Sequence, residues 1–186
     1  MKKLVLILVA AVGILAGVIF QNQAEFTITA PVSIEIPKIN VIAAVEPVGL
    51  DAAGNMDVPK NVYNVAWYQL GPPPGAKGSA VVAGHYDSLT GPAIFFNLSN
   101  LEPGDEITVV DENNVRRLFT VEKKEVYADA DFPINEVFAK VDKARLNLVS
   151  CRGKFDKVKR EYPERVVVYT VLGRCTSKLF NYCIRV

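Results

Sequence analysis

Histidine is almost absent from this 186-residue chain, which contains a single one, His85. Any reaction that uses an imidazole must therefore use this residue. One histidine and scattered carboxylates also lack the ligand spacing of a metal site. The sequence accordingly predicts no metal, and it gives no indication of a cofactor.

The chain also has no large surplus of positive or negative charge. The 21 lysines and arginines are balanced by 20 acidic residues, which gives a formal net charge of +1. Proteins that bind nucleic acids usually carry a basic face or stripe, so we predict no nucleic-acid partner. The length is sufficient for one domain with a sizeable core.

Long hydrophobic runs are limited to the N-terminus, where Met1, Lys2 and Lys3 precede an uncharged stretch at residues 4–20. As a helix this stretch would span about 25 Å, near the lower limit for crossing a bilayer. Residues 21–24 match a signal-peptide cleavage site poorly, which favours a retained anchor over a cleaved signal peptide. We therefore expect a cytoplasmic tip at residues 1–3, a transmembrane anchor at 4–20, a linker at 21–31 and an extracellular domain beyond it, since lysines stay on the cytoplasmic side.

Cysteine is scarce too, and its count is odd, because the chain has three. In an exported protein at least one of them cannot pair within the molecule. Cys175 and Cys183 are close in sequence and could pair with each other, which would leave Cys151 as a free thiol. The sequence does not decide that pairing or the role of the tail at residues 174–186.

A β-strand pattern fills the region between the linker and the tail. Short alternating or apolar runs at residues 32–36, 41–45, 79–83, 106–110, 118–126, 145–150 and 165–172 predict strands. A helical turn at 93–98, a short helix at 133–141 and a turn at Asn113–Asn114 complete the pattern. Many short strands with frequent proline and glycine turns favour a closed or nearly closed β-barrel over residues 32–173.

Three chemically reactive side chains lie at the ends of these runs. His85 and Cys151 follow strand-like runs, and Arg165 opens another one. A thiol, an imidazole and a guanidinium in such positions indicate a nucleophilic acyl-transfer site.

Seven stretches resemble the sortases, which are membrane-anchored cysteine transpeptidases of bacterial surfaces, and the resemblance is closest to class F. The stretches are Ile36-Pro37-Lys38-Ile39, Trp67-Tyr68, residues 75–81, Gly84-His85-Tyr86-Asp87-Ser88, residues 91–95, residues 101–105 and Leu148-Val149-Ser150-Cys151. Their order and spacing carry the signal more than any one of them. The resemblance implies an eight-stranded β-barrel. It departs from the family where Ser150 and Arg152 replace the common threonine and glycine, and where class F often carries asparagine at the place of Arg165.

The chemistry of thioester exchange gives each side chain a role. Cys151 is predicted to be the nucleophile, His85 the general acid and base, and Arg165 the donor to the oxyanion. A buried structural cysteine and a structural histidine are the simpler interpretations. Arg160 and Arg152 are the alternatives to Arg165.

Supporting roles are expected for three further residues, Asp87, Ser150 and Arg152. Asp87 is expected either to orient His85 or to close the turn that follows it, and the turn is preferred. Some sortases bind calcium, for which Asp129 and Asp131 would be candidates, but class F is not known to require it.

The resemblance also implies the substrates: exported proteins with a C-terminal sorting signal of the Leu-Pro-x-Thr-Gly type, and an amine acceptor from peptidoglycan or a pilin lysine. Two other interpretations remain. One is an L,D-transpeptidase, although that family has a Ser-His-Gly run before its cysteine and residues 147–150 contain no histidine. The other is a membrane-tethered β-domain that binds or scaffolds, in which Cys151 is inert.

Overall fold

The computed structural model describes residues 27–173. Ten strands follow one another within these residues. They are β1 (Pro31–Ile36), β2 (Val41–Val48), β3 (Val65–Tyr68), β4 (Gly78–Ala83), β5 (Asp87–Ser88), β6 (Gly91–Pro92), β7 (Glu106–Asp111), β8 (Arg116–Ala128), β9 (Ala144–Arg152) and β10 (Glu164–Leu172). One short α-helix, α1 (Ile134–Val137), and 3₁₀ turns at Pro37–Ile39, Leu98–Asn100 and Asp129–Asp131 connect them.

Eight of these strands close into a barrel in the order β1-β2-β3-β4-β9-β10-β8-β7, and β5 pairs with β6 as a separate hairpin. Most neighbours are antiparallel, but β2 with β3 and β4 with β9 are parallel. The mainly-β barrel predicted from the strand pattern, with the eight strands that the sortase resemblance implies, is therefore confirmed.

Alternate residues of β10 face two different hydrophobic clusters. Val166 and Val168 belong to the barrel interior, whereas Val167 and Tyr169 pack on the outside against Val137 of α1. A strand that is buried on both faces reads as a continuous apolar run, which explains the sequence of residues 166–169. The outer layer also fixes β10 against β9, and both strands contribute to the site described below.

The local predictions hold with limited changes. Every predicted strand is present, and each extends beyond its predicted bounds, most clearly β2, β8 and β9. The helix expected at 133–141 is limited to Ile134–Val137, and residues 94–97 form a turn that leads into the 3₁₀ turn at Leu98–Asn100. Strand β3 and the two-residue strands β5 and β6 were not among the predicted strands.

The predicted anchor at residues 4–20 and the tail with Cys175 and Cys183 lie outside the described residues. Among residues 27–173, no helix combines the length and the apolar character needed to cross a bilayer.

Candidate active site

The position of His85 is set by the parallel pairing of β4 with β9. Ala83 is paired with Val149, and the next residue, Gly84, donates its N–H to the Val149 carbonyl at 3.1 Å. The buried hydroxyl of Ser150 in turn donates to the Gly84 carbonyl at 2.9 Å. The backbone just before His85 is thereby attached to the backbone just before Cys151.

Close packing at Gly84 fixes the same backbone from the other side. A Cβ atom at this position would lie 2.5 Å from the ring of Phe95, which is fully buried. Phe95 also donates its N–H to the His85 carbonyl at 3.0 Å. Glycine is therefore needed here for close approach of the chain to a neighbouring side chain.

Cys151 and Arg165 face each other across the antiparallel pair of β9 and β10, where they are directly opposed. Directly opposite residues project from the same face, with their Cβ atoms about 4.5–5.5 Å apart. The sequence places Cys151 after the end of a strand, whereas the structure places it within β9, which continues to Arg152. The fixed register of a ladder thus positions the guanidinium beside the thiol.

His85, Cys151 and Arg165 all line one cavity of about 800 Å³. The rest of its wall is largely apolar, as is common in binding sites that hold a few convergent polar groups. The apolar lining includes Leu50, Met56, Val58, Tyr68, Phe132, Ile134, Phe138 and Val149. The cavity therefore combines reactive groups with walls that suit an apolar peptide segment.

The electrostatic environment of Cys151 favours a protonated thiol in the free protein. Burial raises the pKa of this thiol, Arg165 opposes the increase, and the carboxylates of Asp129 and Asp87 add to it. The net pKa is above the ordinary value, so the neutral thiol predominates at pH 7. Forming the nucleophile therefore requires that a base take the proton or that a bound substrate change this environment.

The His85 ring is held by a backbone carbonyl. Its Nε2 lies 3.0 Å from the carbonyl oxygen of Pro59, in the segment between β2 and β3. Because a carbonyl oxygen only accepts, Nε2 is the donor and carries a proton. In the neutral ring Nδ1 is then the nitrogen that can accept a proton.

Arg165 is held by three oxygen atoms. Its Nη2 lies 2.9 Å from Oδ1 of Asp129, and its Nη1 donates to the carbonyls of Tyr162 and Glu164 at 3.3 Å each. A guanidinium carries five N–H donors, so donors remain for a further acceptor.

The three supporting candidates occupy different positions. Ser150 lines the cavity and bridges to Gly84. The Asp87 carboxylate accepts a hydrogen bond from the hydroxyl of Tyr162. Arg152 forms an ion pair with Glu164 at 2.8 Å and is not among the residues that line the cavity.

Three further residues contact the predicted site residues, and the sequence did not identify these contacts. Asp129 contacts Arg165, Tyr162 contacts Asp87, and Pro59 contacts His85. Burial, together with the Asp87 contact, raises the pKa of Tyr162. These partners come from three separate connecting segments, and no local pattern links them to His85 or Arg165.

Within residues 27–173, no three His, Cys, Asp or Glu side chains are grouped in a way that would hold a metal ion.

Comparison with known proteins identifies the family of the chain. The family model described as the sortase domain matches residues 34–173, which is most of the chain. The chain belongs to the sortase family. The general activity of this family is transpeptidation by a cysteine nucleophile, so the chain is a cysteine transpeptidase. No curated protein sequence matched this sortase.

Solved structures of other sortases share its fold. A Clostridium perfringens sortase D5 transpeptidase is 20% identical with a TM-score of 0.57, and the match covers 76% of this chain and 78% of that one. Sortase A from Corynebacterium diphtheriae is 18% identical with a TM-score of 0.60, and the match covers 84% of this chain but 65% of that one, just under two thirds. Sortase C-1 from Actinomyces oris is 16% identical with a TM-score of 0.63, covering 84% of this chain and 80% of that one. These relatives bear the names of sortases A, C and D, so the likeness establishes the fold and assigns no class.

Proposed function

We propose that this sortase cleaves a C-terminal Leu-Pro-x-Thr-Gly-type sorting signal and transfers the exported protein to an amine. The observation that supports this most is the single cavity in which Cys151, His85 and Arg165 stand against apolar walls. Such walls suit the leucine and proline side chains of the signal. The amine would come from a cell-wall peptide or a pilin lysine.

The first half-reaction forms a thioester. The sulfur of Cys151 attacks the threonine carbonyl, and its proton passes to His85. Arg165 donates hydrogen bonds to the oxyanion that forms, where its permanent charge needs no protonation step. The C–N bond to glycine then breaks, and His85 returns the proton to the leaving amine.

The second half-reaction reverses these roles. The acceptor amine attacks the thioester carbonyl, and His85 takes a proton from the attacking nitrogen. The C–S bond breaks, an amide forms and the thiol of Cys151 is regenerated. Water in place of the amine would give hydrolysis, so the same site also accounts for endopeptidase activity.

The cellular setting belongs to the same proposal. Residues 4–20 anchor the protein in the cell membrane with its N-terminus in the cytoplasm, and the barrel lies outside the cell. The sorting signal's hydrophobic tail occupies the same membrane, which raises the effective concentration of substrate at the enzyme. The motifs around His85 and Cys151 support assignment to class F.

A peptide panel tests this function. The full-length protein is incubated with peptides that vary each position of Leu-Pro-x-Thr-Gly, with and without hydroxylamine, and products are identified by mass. We expect cleavage between threonine and glycine, and a threonine hydroxamate when hydroxylamine is present. A folded protein that cleaves no member of the panel would favour the scaffolding β-domain instead.

A further inference from the structure

We propose that Asp129 is a positioning residue of this sortase, which holds the guanidinium of Arg165 in the orientation that receives the oxyanion beside Cys151. This inference rests on the proposed function. It assigns a role in the site to a residue that lies after β8, far in sequence from His85 and Cys151.

The contacts of Arg165 define the orientation. Nη2 forms an ion pair with Oδ1 of Asp129 at 2.9 Å, and Nη1 donates to the carbonyls of Tyr162 and Glu164 at 3.3 Å each. Neither Nε nor Nη2 donates a hydrogen bond to another group among residues 27–173, so their N–H groups remain for a further acceptor. Arg165 is directly opposite Cys151 on the same face of the sheet, and both residues line the cavity in which the oxyanion would form.

The backbone of Asp129 is itself held in place by two hydrogen bonds. Its backbone N–H donates to the Pro163 carbonyl at 2.9 Å, which extends the pairing of β8 with β10 by one more contact. Its own carbonyl accepts from Phe132 at 3.3 Å as the 3₁₀ turn closes. Asp129 is therefore attached to the strand that carries Arg165, and it lines the same cavity as the thiol.

This arrangement has two opposing effects. A fixed partner orders a long arginine side chain before the oxyanion forms, which favours the reaction because no reorganisation is needed later. The negative charge, however, also opposes formation of the thiolate, since Asp129 raises the pKa of Cys151. The two effects respond differently to substitution, because an amide keeps an acceptor oxygen but carries no charge.

Folding stability distinguishes a positioning role from a role in stabilising the fold. The side chains of Asp129 and Arg165 are partly exposed, at 42% and 26%, and exposed ion pairs contribute little to folding stability. Loss of Asp129 should therefore change turnover and thiol reactivity while the melting temperature stays within about 3 °C of the wild type.

The test compares Asp129→Ala, Asp129→Asn and the control Glu35→Gln in the full-length protein. Glu35 forms an ion pair with Arg116, and neither residue lines the cavity. Turnover of a cleaved peptide gives kcat and KM. The rate of Cys151 alkylation, measured against pH and localised by peptide mass, gives the midpoint of thiol ionisation. Titratable or charged groups around the thiol are Arg165, Asp129, Asp87, Tyr162 and His85.

We expect Asp129→Ala to lower kcat by about 10- to 100-fold with KM changed less than about 3-fold. The kcat of Asp129→Asn should lie between those of Asp129→Ala and the wild type, because its amide oxygen keeps a partial negative charge near Nη2 but the ion pair is lost. Both variants should move the alkylation midpoint to lower pH, and Glu35→Gln should change neither quantity. Wild-type kcat in Asp129→Ala, or an unchanged midpoint in both variants, would overturn the inference. If the wild type cleaves no peptide, the proposed function fails instead, and the alkylation midpoints still decide whether Asp129 acts on the Cys151–Arg165 pair.

Discussion

The hydroxyl of Ser150 donates a 2.9 Å hydrogen bond to the carbonyl oxygen of Gly84. This buried contact joins the residue before Cys151 to the residue before His85. Two groups that are 66 residues apart in sequence are thereby held at one end of the parallel pair of β4 and β9. The relative position of nucleophile and imidazole therefore depends on a contact between their chain neighbours.

Ser150→Ala tests the contribution of this contact. Removing the hydroxyl deprives the buried Gly84 carbonyl of a donor, which should lower the free energy of unfolding by about 1–3 kcal/mol. Turnover should fall as well, because the backbone that carries His85 loses one attachment to β9. Ser150→Thr retains the hydroxyl and is the matched control. Urea unfolding and peptide turnover measure both effects, and a threonine variant as impaired as the alanine variant would argue against the role of the hydrogen bond.

Gly84→Ala tests the close approach of the chain to Phe95. The added Cβ would lie 2.5 Å from the aromatic ring, so either the ring or the backbone before His85 must shift. We expect a loss of about 1–3 kcal/mol in stability, the usual cost of overpacking, and reduced turnover. Gly49→Ala is the control, since a Cβ there meets nothing within 4 Å. Equal melting temperatures for the two variants would contradict this interpretation.

His85→Gln separates proton transfer from hydrogen bonding. The glutamine amide can still donate to the Pro59 carbonyl, but it cannot accept and return a proton. We expect kcat to fall by about 10²–10⁴-fold, which is the range for general acid–base catalysis. Stability should change little if the bond to Pro59 is re-formed. Steady-state turnover and a thermal melt measure these quantities, and full activity would exclude His85 as the acid and base.

Arg165→Ala and Arg165→Lys test the oxyanion donor. Loss of one such donor costs about 10²–10³-fold in kcat, and the alanine variant should show a loss of this size. Lysine keeps the charge without the planar fork of donors, so its turnover should lie between those of alanine and the wild type. Arg116→Ala, which disrupts an ion pair outside the cavity, should retain wild-type turnover. If Arg165→Ala is no more impaired than Arg116→Ala, the assignment of Arg165 fails.

Alternation and turn residues predicted most of the barrel because each strand contributes a local pattern. β1 and β8 alternate between the barrel interior and its surface, and Asn114 adopts the left-handed conformation of a turn residue at φ 59°. β3 was not predicted because the strand has only four residues, Val65 to Tyr68, which are largely buried and show no alternation. β5 and β6 were not predicted because two residues are too few for a pattern. The parallel pairs also could not be predicted, since a register between distant segments leaves no local signal.

The candidate site shows the same limit. His85 and Cys151 could be proposed from scarcity, because the chain has one imidazole and three cysteines, two of which could pair with each other. The ion pair between Asp129 and Arg165 could not be predicted, since it depends on the pairing of β8 with β10. Asp87 illustrates the same point, because its partner Tyr162 lies 75 residues away.

The acyl-enzyme itself tests the central claim most directly. Full-length protein is mixed with a Leu-Pro-x-Thr-Gly peptide, quenched in acid within seconds and examined by intact and peptide mass. The account predicts an adduct of the peptide's N-terminal part on Cys151, which hydroxylamine releases as the hydroxamate and which Cys151→Ala lacks. Peptide cleavage that persists in Cys151→Ala, or an adduct on another residue, would contradict it.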